Sequence, residues 1–248
     1  MNILVCISNV PDTTSAINFN DDGTSFSSDG VQFIINPYDE FGLTKAIKLR
    51  EKHGGSVTVA HVGEQSSDPT LRKALAIGAD KAIRVNKKAS DSYGVAKELV
   101  VLINNNDFDL IICGRESIDY NGGAVPGMAA EILNLPFINA CTSLELENDE
   151  VTLEREIEGG KEILKSKLPI IIAGQKGLVE ESDLLIPNMR GIMTARSKPL
   201  LVEEPQESNQ QTNSVRFEKP APKQACKMIE SGNENELINL LHQEAKVI

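Results

Sequence analysis

The sequence predicts an α/β fold: a mostly parallel sheet with helices on both faces, an added antiparallel meander, and a C-terminal extended arm ending in a helix. Three observations carry this expectation. Strand-like and helix-like segments alternate from Asn2 to about residue 135, the pattern of an open parallel sheet with crossover helices. The run Asp109 to Cys113 is almost continuously apolar, as suits a parallel strand covered on both faces. Beyond Pro136, short alternating segments separated by polar and Gly-Gly turns replace the helices, which reads as an antiparallel meander.

The elements follow in order. Asn2 to Ile7 is the first strand. Asp21 to Asp29, rich in Asp, Gly and Ser, marks a turn or hairpin tip. Val31 to Ile35 is a short strand, broken by Asn36-Pro37. A helix opens there, with Pro37 suited to its first turn and Asp39 and Glu40 complementing its dipole. Leu43, Ala46, Ile47 and Arg50 keep helical spacing until Gly54-Gly55. Ser56 to Val62 is a valine-rich strand. Pro69 opens a helix through Leu71, Ala74 and Leu75 that Gly78 closes, and Ala82 to Val85 is a strand. Asp91 starts a longer helix with Val95, Leu99 and Leu102 at i, i+4 and i+7. Asp109 to Cys113 then leads through a polar, Gly-rich loop into a helix at Met128 to Leu133.

The meander comprises Ser143 to Glu147, Val151 to Ile157 and Lys161 to Ser166, turning at Asn148-Asp149-Glu150 and Glu158-Gly159-Gly160. Leu168 to Ala173 returns as a buried strand. From residue 203 to residue 224 apolar residues are sparse, as in a linker or extended arm. A last helix is expected over Asn233 to Ala245, with Leu237, Leu240 and Leu241 on one face. That face needs a cover, either its own domain or a partner subunit. The expected division is a domain over 1–202, including a loop at 176–190, and an arm over 203–248.

A chain of 248 residues that is 40% hydrophobic has ample material for one large core. Its formal net charge of -11 argues against nucleic-acid binding or an anionic membrane surface as partners. Arg190, Arg196 and Lys198 form a local basic exception. No apolar run is long enough to insert in a bilayer, and the N-terminus lacks the basic flank of a secretory signal. A cytoplasmic location is expected. Cys6, Cys113, Cys141 and Cys226 show no C-x-x-C spacing and read as reduced residues. His53, His61 and His242 are scattered, so no protein-bound metal is expected.

The most informative segment runs from Gly114 through Arg115, Glu116, Ser117, Ile118, Asp119, Tyr120, Asn121, Gly122, Gly123, Ala124 and Val125 to Pro126-Gly127. Strand, Gly-rich loop and helix start are the ingredients of a phosphate site, because backbone N–H groups at a helix N-terminus point outward. An ordinary strand-to-helix turn is the competing reading. The loop is neither a P-loop nor a dinucleotide fingerprint. Asn36-Pro37-Tyr38-Asp39-Glu40 reads as a capped helix start to which a ligand role would be added. Glu154 to Glu162 reads as a solvated charged hairpin. In the segment Gly177 to Leu185, leucines among acids suggest a docking knob, or else Leu184, Leu185 and Ile186 fold back onto the core. No triad, carboxylate pair or Cys-His arrangement stands out, which favours a binding or carrier role.

These segments together resemble the electron transfer flavoprotein beta-subunit family. The resemblance spans Met1 to about Leu200 and rests on Asn36-Pro37, Ala74-Leu75-Ala76-Ile77-Gly78-Ala79-Asp80, the loop from Gly114, Arg155-Glu156-Ile157-Glu158-Gly159-Gly160, and Gly191-Ile192-Met193 running into Ala195-Arg196 and Lys198-Pro199. It implies a Rossmann-like nucleotide-binding domain in a heterodimer whose alpha subunit holds FAD. It implies AMP on this chain, touching Cys6, Asn36, Pro37, Tyr38, Asp39, Val62 and the loop Gly114 to Val125. It also implies docking of acyl-CoA and other dehydrogenases at a recognition loop, with Leu178, Leu184 or Leu185 as anchor, and onward transfer to a quinone oxidoreductase. The chain would then be a carrier subunit, not an enzyme. The sequence departs from the family pattern at Thr13, at Asn121-Gly122-Gly123, and in a longer, more acidic recognition loop. Bifurcating relatives hold a second FAD in place of AMP. A stand-alone ATP- or AMP-binding stress-type protein is one alternative, against which count the segment from Arg155 to Leu200 and the missing G-x-x-G loop; an adenylating enzyme of the same fold class is another, against which counts the absence of glycine from Ser8-Asn9-Val10-Pro11-Asp12 after the first strand.

Overall fold

The apolar segments form one nine-stranded sheet in a computed structural model, which describes residues 1–206, 210–223 and 225–248. In chain order the elements are β1 (Asn2–Cys6), β2 (Asn9–Pro11), β3 (Asn18–Phe19), β4 (Phe26–Ser27), β5 (Phe33–Ile35), α1 (Pro37–His53), β6 (Ser56–Gly63), α2 (Asp68–Ile77), β7 (Lys81–Asn86), α3 (Ser92–Asn104) and β8 (Leu110–Gly114). There follow α4 (Ala124–Leu133), β9 (Phe137–Glu147), β10 (Glu150–Ile157), β11 (Gly160–Lys167), β12 (Ile170–Gly174), α5 (Met189–Ala195), β13 (Leu200–Glu203) and α6 (Glu234–Asn239). The sheet order is β11-β10-β9-β12-β8-β1-β6-β7-β13. Strands β12 through β13 pair in parallel, and β9, β10 and β11 form the antiparallel meander. The α/β expectation and the meander are both found.

Alternation along β1 explains the two layers. Ile3, Val5 and Ile7 join a core with Leu43, Ile47, Leu71 and Leu75 of α1 and α2. Leu4 and Cys6 join a second core with Leu99, Leu102, Ala129 and Ala130 of α3 and α4. The chain steps outward from β1 through β6 to β7 on one face, then returns to β8 on the far side of β1. The reversal leaves a crevice beyond the carboxyl ends of β1 and β8. Helix α1 lies so close over this pair that a Cβ at Gly42 would come 2.8 Å from Ile112 Cγ2.

Several local expectations need correction. Helix α4 begins at Ala124, not Met128, because a proline in the first turn gives up no intrahelical bond. Strand β9 begins at Phe137, since its first residues pair in parallel with β12 before the meander starts. Asn148 (φ 47°) and Asp149 (φ 64°) form the turn into β10, a backbone that Asn and Asp tolerate better than other side chains. Helix α5 and the edge strand β13 fall where the sequence suggested only loop and basic residues. The basic cluster is partly structural: Lys198 Nζ donates to the carbonyls of Leu75 (2.9 Å) and Ala79 (2.6 Å), closing the C-terminus of α2.

Positions 207–209 and 224 of the expected arm lie outside the described residues. Between Gln206 and Lys219 the described part of the arm runs along its own domain. Gln206 N–H donates to Glu98, Phe217 stacks on Phe19 with centroids 5.2 Å apart, and Lys219 Nζ donates to Asn18 Oδ1. The final helix spans the expected range, with α6 passing into a wider π-helical turn at Leu240–Ala245, and Leu237 and Ile238 are exposed. Among the described residues no helix is long and apolar enough to cross a membrane.

Replacing Lys198 with methionine keeps the aliphatic stem but abandons two helix-end carbonyls. Urea unfolding is expected to show a loss of about 1–3 kcal/mol; a change within error would mean that water closes α2 equally well.

Candidate functional site

The crevice at the carboxyl ends of β1, β6 and β8 is a cavity of about 370 Å³, within the size range of small-ligand sites. Its floor is built by one carboxylate. Asp39, 2% exposed, sits in the first turn of α1. Its Oδ2 accepts from Ser8 N–H just past β1 (2.7 Å), and its Oδ1 accepts from Gly114 N–H at the end of β8 (2.8 Å). Gly114 is required by that approach, because a Cβ there would stand 2.2 Å from Asp39 Oδ1. Burial pushes the Asp39 carboxyl up to about 7, against hydrogen bonds from Ser8, Asn36 and Gly114 that favour the charged form.

Asn36 does not play the capping role expected of it. It occupies the N-cap position, but its side chain makes no cap bond. Its Nδ2 donates instead to Glu116 carbonyl (2.9 Å), and its Oδ1 accepts from Ile118 N–H (3.3 Å). The fully buried amide therefore ties the Gly114 loop to the start of α1. Pro37 at the first helical position already supplies the helix start. Within the loop, Ser117 and Gly122 exchange backbone bonds, and Ser117 Oγ bonds Asp119 Oδ1. The N-terminus of α4 beyond Gly123 carries no side-chain cap, so its N–H groups stand open to an acceptor.

Of the expected contact residues, Cys6, Asp39, Val62, Gly114, Glu116, Ser117, Asp119, Tyr120, Gly122 and Val125 line the cavity. Asn36, Pro37, Tyr38, Arg115, Ile118, Asn121, Gly123 and Ala124 do not. Arg115 turns away and donates to Gln175 Oε1, which in turn bonds Glu156 through Nε2. Sequence reasoning missed a second wall, Ala89 to Ser92 with Val95 and Leu99 of α3. The Ser-Asp-Ser run that opens α3 was its visible signal. It also missed Thr212 and Ser214 of the arm. Asp91 joins these two parts: Oδ1 caps α3 through Gly94 N–H, and Oδ2 accepts from Gln211 and Thr212 N–H. Among the described residues the lining carries Asp39, Asp91, Glu116 and Asp119 and no Lys or Arg.

The leucines expected to form an exposed knob are folded inward. Leu178 is 3% exposed and lies over Gly174, whose missing side chain makes the room. Leu184 and Leu185 pack against the core beside α1, where Leu185 N–H donates to Thr44 Oγ1 and Lys48 pairs with Asp183. The large apolar side chains left outside are Ile186 (80% exposed), Met189 (76%), Ile192 and Met193. Cys6, Cys113 and Cys141 are buried free thiols, and Cys226 is exposed. Among the described residues no cluster suits a metal ion.

Residues 24–208 match the family model described as the electron transfer flavoprotein domain. The chain is 34% identical over 262 aligned positions to the electron transfer flavoprotein subunit beta of Bacillus subtilis (strain 168), with all of both chains covered. It is 37% identical to the subunit beta of Thermoanaerobacterium thermosaccharolyticum, covering 80% of this chain and 76% of that one. It is also 37% identical to the protein FixA of Sinorhizobium fredii, covering 71% and 66%.

Two outcomes follow from the floor. The raised Asp39 carboxyl keeps its proton in the folded chain at pH values where the unfolded chain has released it. Its contribution is complete below about pH 4 and is lost as pH rises through about 7. The stability difference between the native chain and Asp39→Asn, read by urea unfolding, should therefore shrink from pH 5 to pH 8. A pH-independent difference contradicts this. Asn36→Ala should cost about 1–3 kcal/mol and speed amide exchange at Ile118; unchanged exchange there would mean the tether does not hold the loop.

Proposed function

The chain belongs to the electron transfer flavoprotein beta-subunit family, and from that premise we propose that it is the AMP-holding half of a heterodimeric electron carrier. The observation that carries the nucleotide part is the cavity itself. It joins an uncapped helix N-terminus, at α4, to a lining rich in acceptors. Backbone N–H groups at the start of α4, where Val125 lines the cavity, suit a phosphate. The carboxylates of Asp39, Asp91 and Asp119 suit the donors of a nucleoside, its ribose hydroxyls and its adenine amino group. With no Lys or Arg in the lining among the described residues, the helix end is the feature suited to hold the anion. A volume of about 370 Å³ favours a mononucleotide over FAD, which has more than twice as many atoms.

In this reading FAD is held mainly by the alpha subunit and supplies the redox chemistry, while this chain contributes binding and orientation. The chain is a carrier subunit and has no catalytic residues of its own. The exposed face of α6 at Leu237 and Ile238 is assigned to the alpha subunit, which would bury it. Electrons arrive from acyl-CoA and other dehydrogenases and leave to a quinone oxidoreductase. We assign the pair to the cytoplasm. The docking surface is the apolar group Ile186, Met189, Ile192 and Met193, because the leucines of the same loop are engaged with the core.

Co-expression with the flavin-bearing subunit tests the reading. A yellow complex that releases about one AMP per pair on denaturation is expected. A colourless homodimer that hydrolyses ATP would overturn it. Ile186→Glu in that complex should slow reduction by an acyl-CoA dehydrogenase while leaving AMP content unchanged. Unaltered reduction would remove the docking surface from this loop.

A further inference from the structure

Two cysteines meet in the cavity, and the nucleotide reading uses Cys6 only as a contact and gives neither thiol any chemistry. Strands β1 and β8 are parallel neighbours in register through Val5 and Ile112, and one further step along both brings Cys6 beside Cys113. Their side chains share a face: with Leu4 and Ile111 they belong to the core between the sheet and α3–α4. Both line the cavity, at 9% and 7% exposure. Adjacent parallel strands are about 4.8 Å apart, inside the Cα separation that a disulfide spans.

We propose that Cys6 and Cys113 form an oxidisable dithiol at the cavity wall, which exchanges with small neutral disulfides and is shielded when a nucleotide fills the cavity. In the exchange, one thiolate attacks a disulfide RSSR, forming a mixed disulfide and releasing RSH. The second thiolate then displaces the other RSH. Two protein thiols lose two hydrogens, and one RSSR becomes two RSH. The acidic lining repels anionic oxidants such as glutathione disulfide and admits neutral ones. The Cys113 thiol is held well above its usual range by its hydrogen bond to Cys6 and by burial, so exchange accelerates as pH rises. The shielding rests on the nucleotide reading; the crosslink does not.

The test uses the full chain carrying Cys226→Ser, stripped of nucleotide and treated with hydroxyethyl disulfide in mildly alkaline buffer. Mass spectrometry should find a loss of two hydrogens and a Cys6–Cys113 peptide pair. Cys113→Ser should form no such crosslink. With AMP at about 100 Kd the crosslink should form roughly 100-fold more slowly. A stripped chain that stays reduced would overturn the dithiol. Equal rates in a chain shown by extraction to carry AMP would overturn the shielding. A chain that crosslinks but retains no AMP would leave the dithiol standing and sink the nucleotide reading instead.

Discussion

The molecule is organised around the Asp39 carboxylate. A topological reversal leaves the ends of β1 and β8 side by side beyond the last pair of their parallel ladder, Val5 with Ile112. One buried side chain from α1 joins them there, accepting from Ser8 and Gly114 through separate oxygens. Neither strand end can move without orphaning a buried N–H, which costs about as much as a lost hydrogen bond. Gly114 follows from this arrangement, since any side chain there would displace the carboxylate. Asn36 follows too, because the loop leaving Gly114 must be tied back over the same helix start. The cavity is what remains between these fixed ends and the N-termini of α3 and α4.

Much of this was legible in residues whose meaning is local. The apolar runs of β8 and β12 announced strands buried on both faces, and both are buried throughout. Pro37 and Gly54 bracket α1 as their backbone preferences require. The strand, glycine loop and helix start around Gly114 were readable because turn chemistry depends on near neighbours. What was not readable depends on distant ones. Asn36 looks like a cap in any local window, yet its partner lies 80 residues on. Leu178 looks exposed among Lys, Gly and Glu until Gly174 offers it a place. Thr212 and Ser214 carry no periodic signal, and the Asp91 carboxylate shows why this part of the arm lies where it does.

Charge divides the surfaces by task. The cavity is acidic in its side chains and is bordered by the uncapped N-terminus of α4, so the proposed anionic ligand would turn its charge toward that helix end. The loop beyond β12 holds itself down with leucines and a Lys48–Asp183 pair, leaving two isoleucines and two methionines outside. Flexible thioethers fit irregular partner surfaces well.

The central claim is that the ends of β1 and β8, with the N-terminus of α4, hold one mononucleotide. Amide chemical-shift mapping on addition of AMP to the stripped full chain tests it most directly. The account predicts saturable shifts concentrated at Ser8, Gly114, Ala124 and Val125, with the amides of the 181–183 turn silent. Shifts centred elsewhere, or none at saturating AMP, would contradict it.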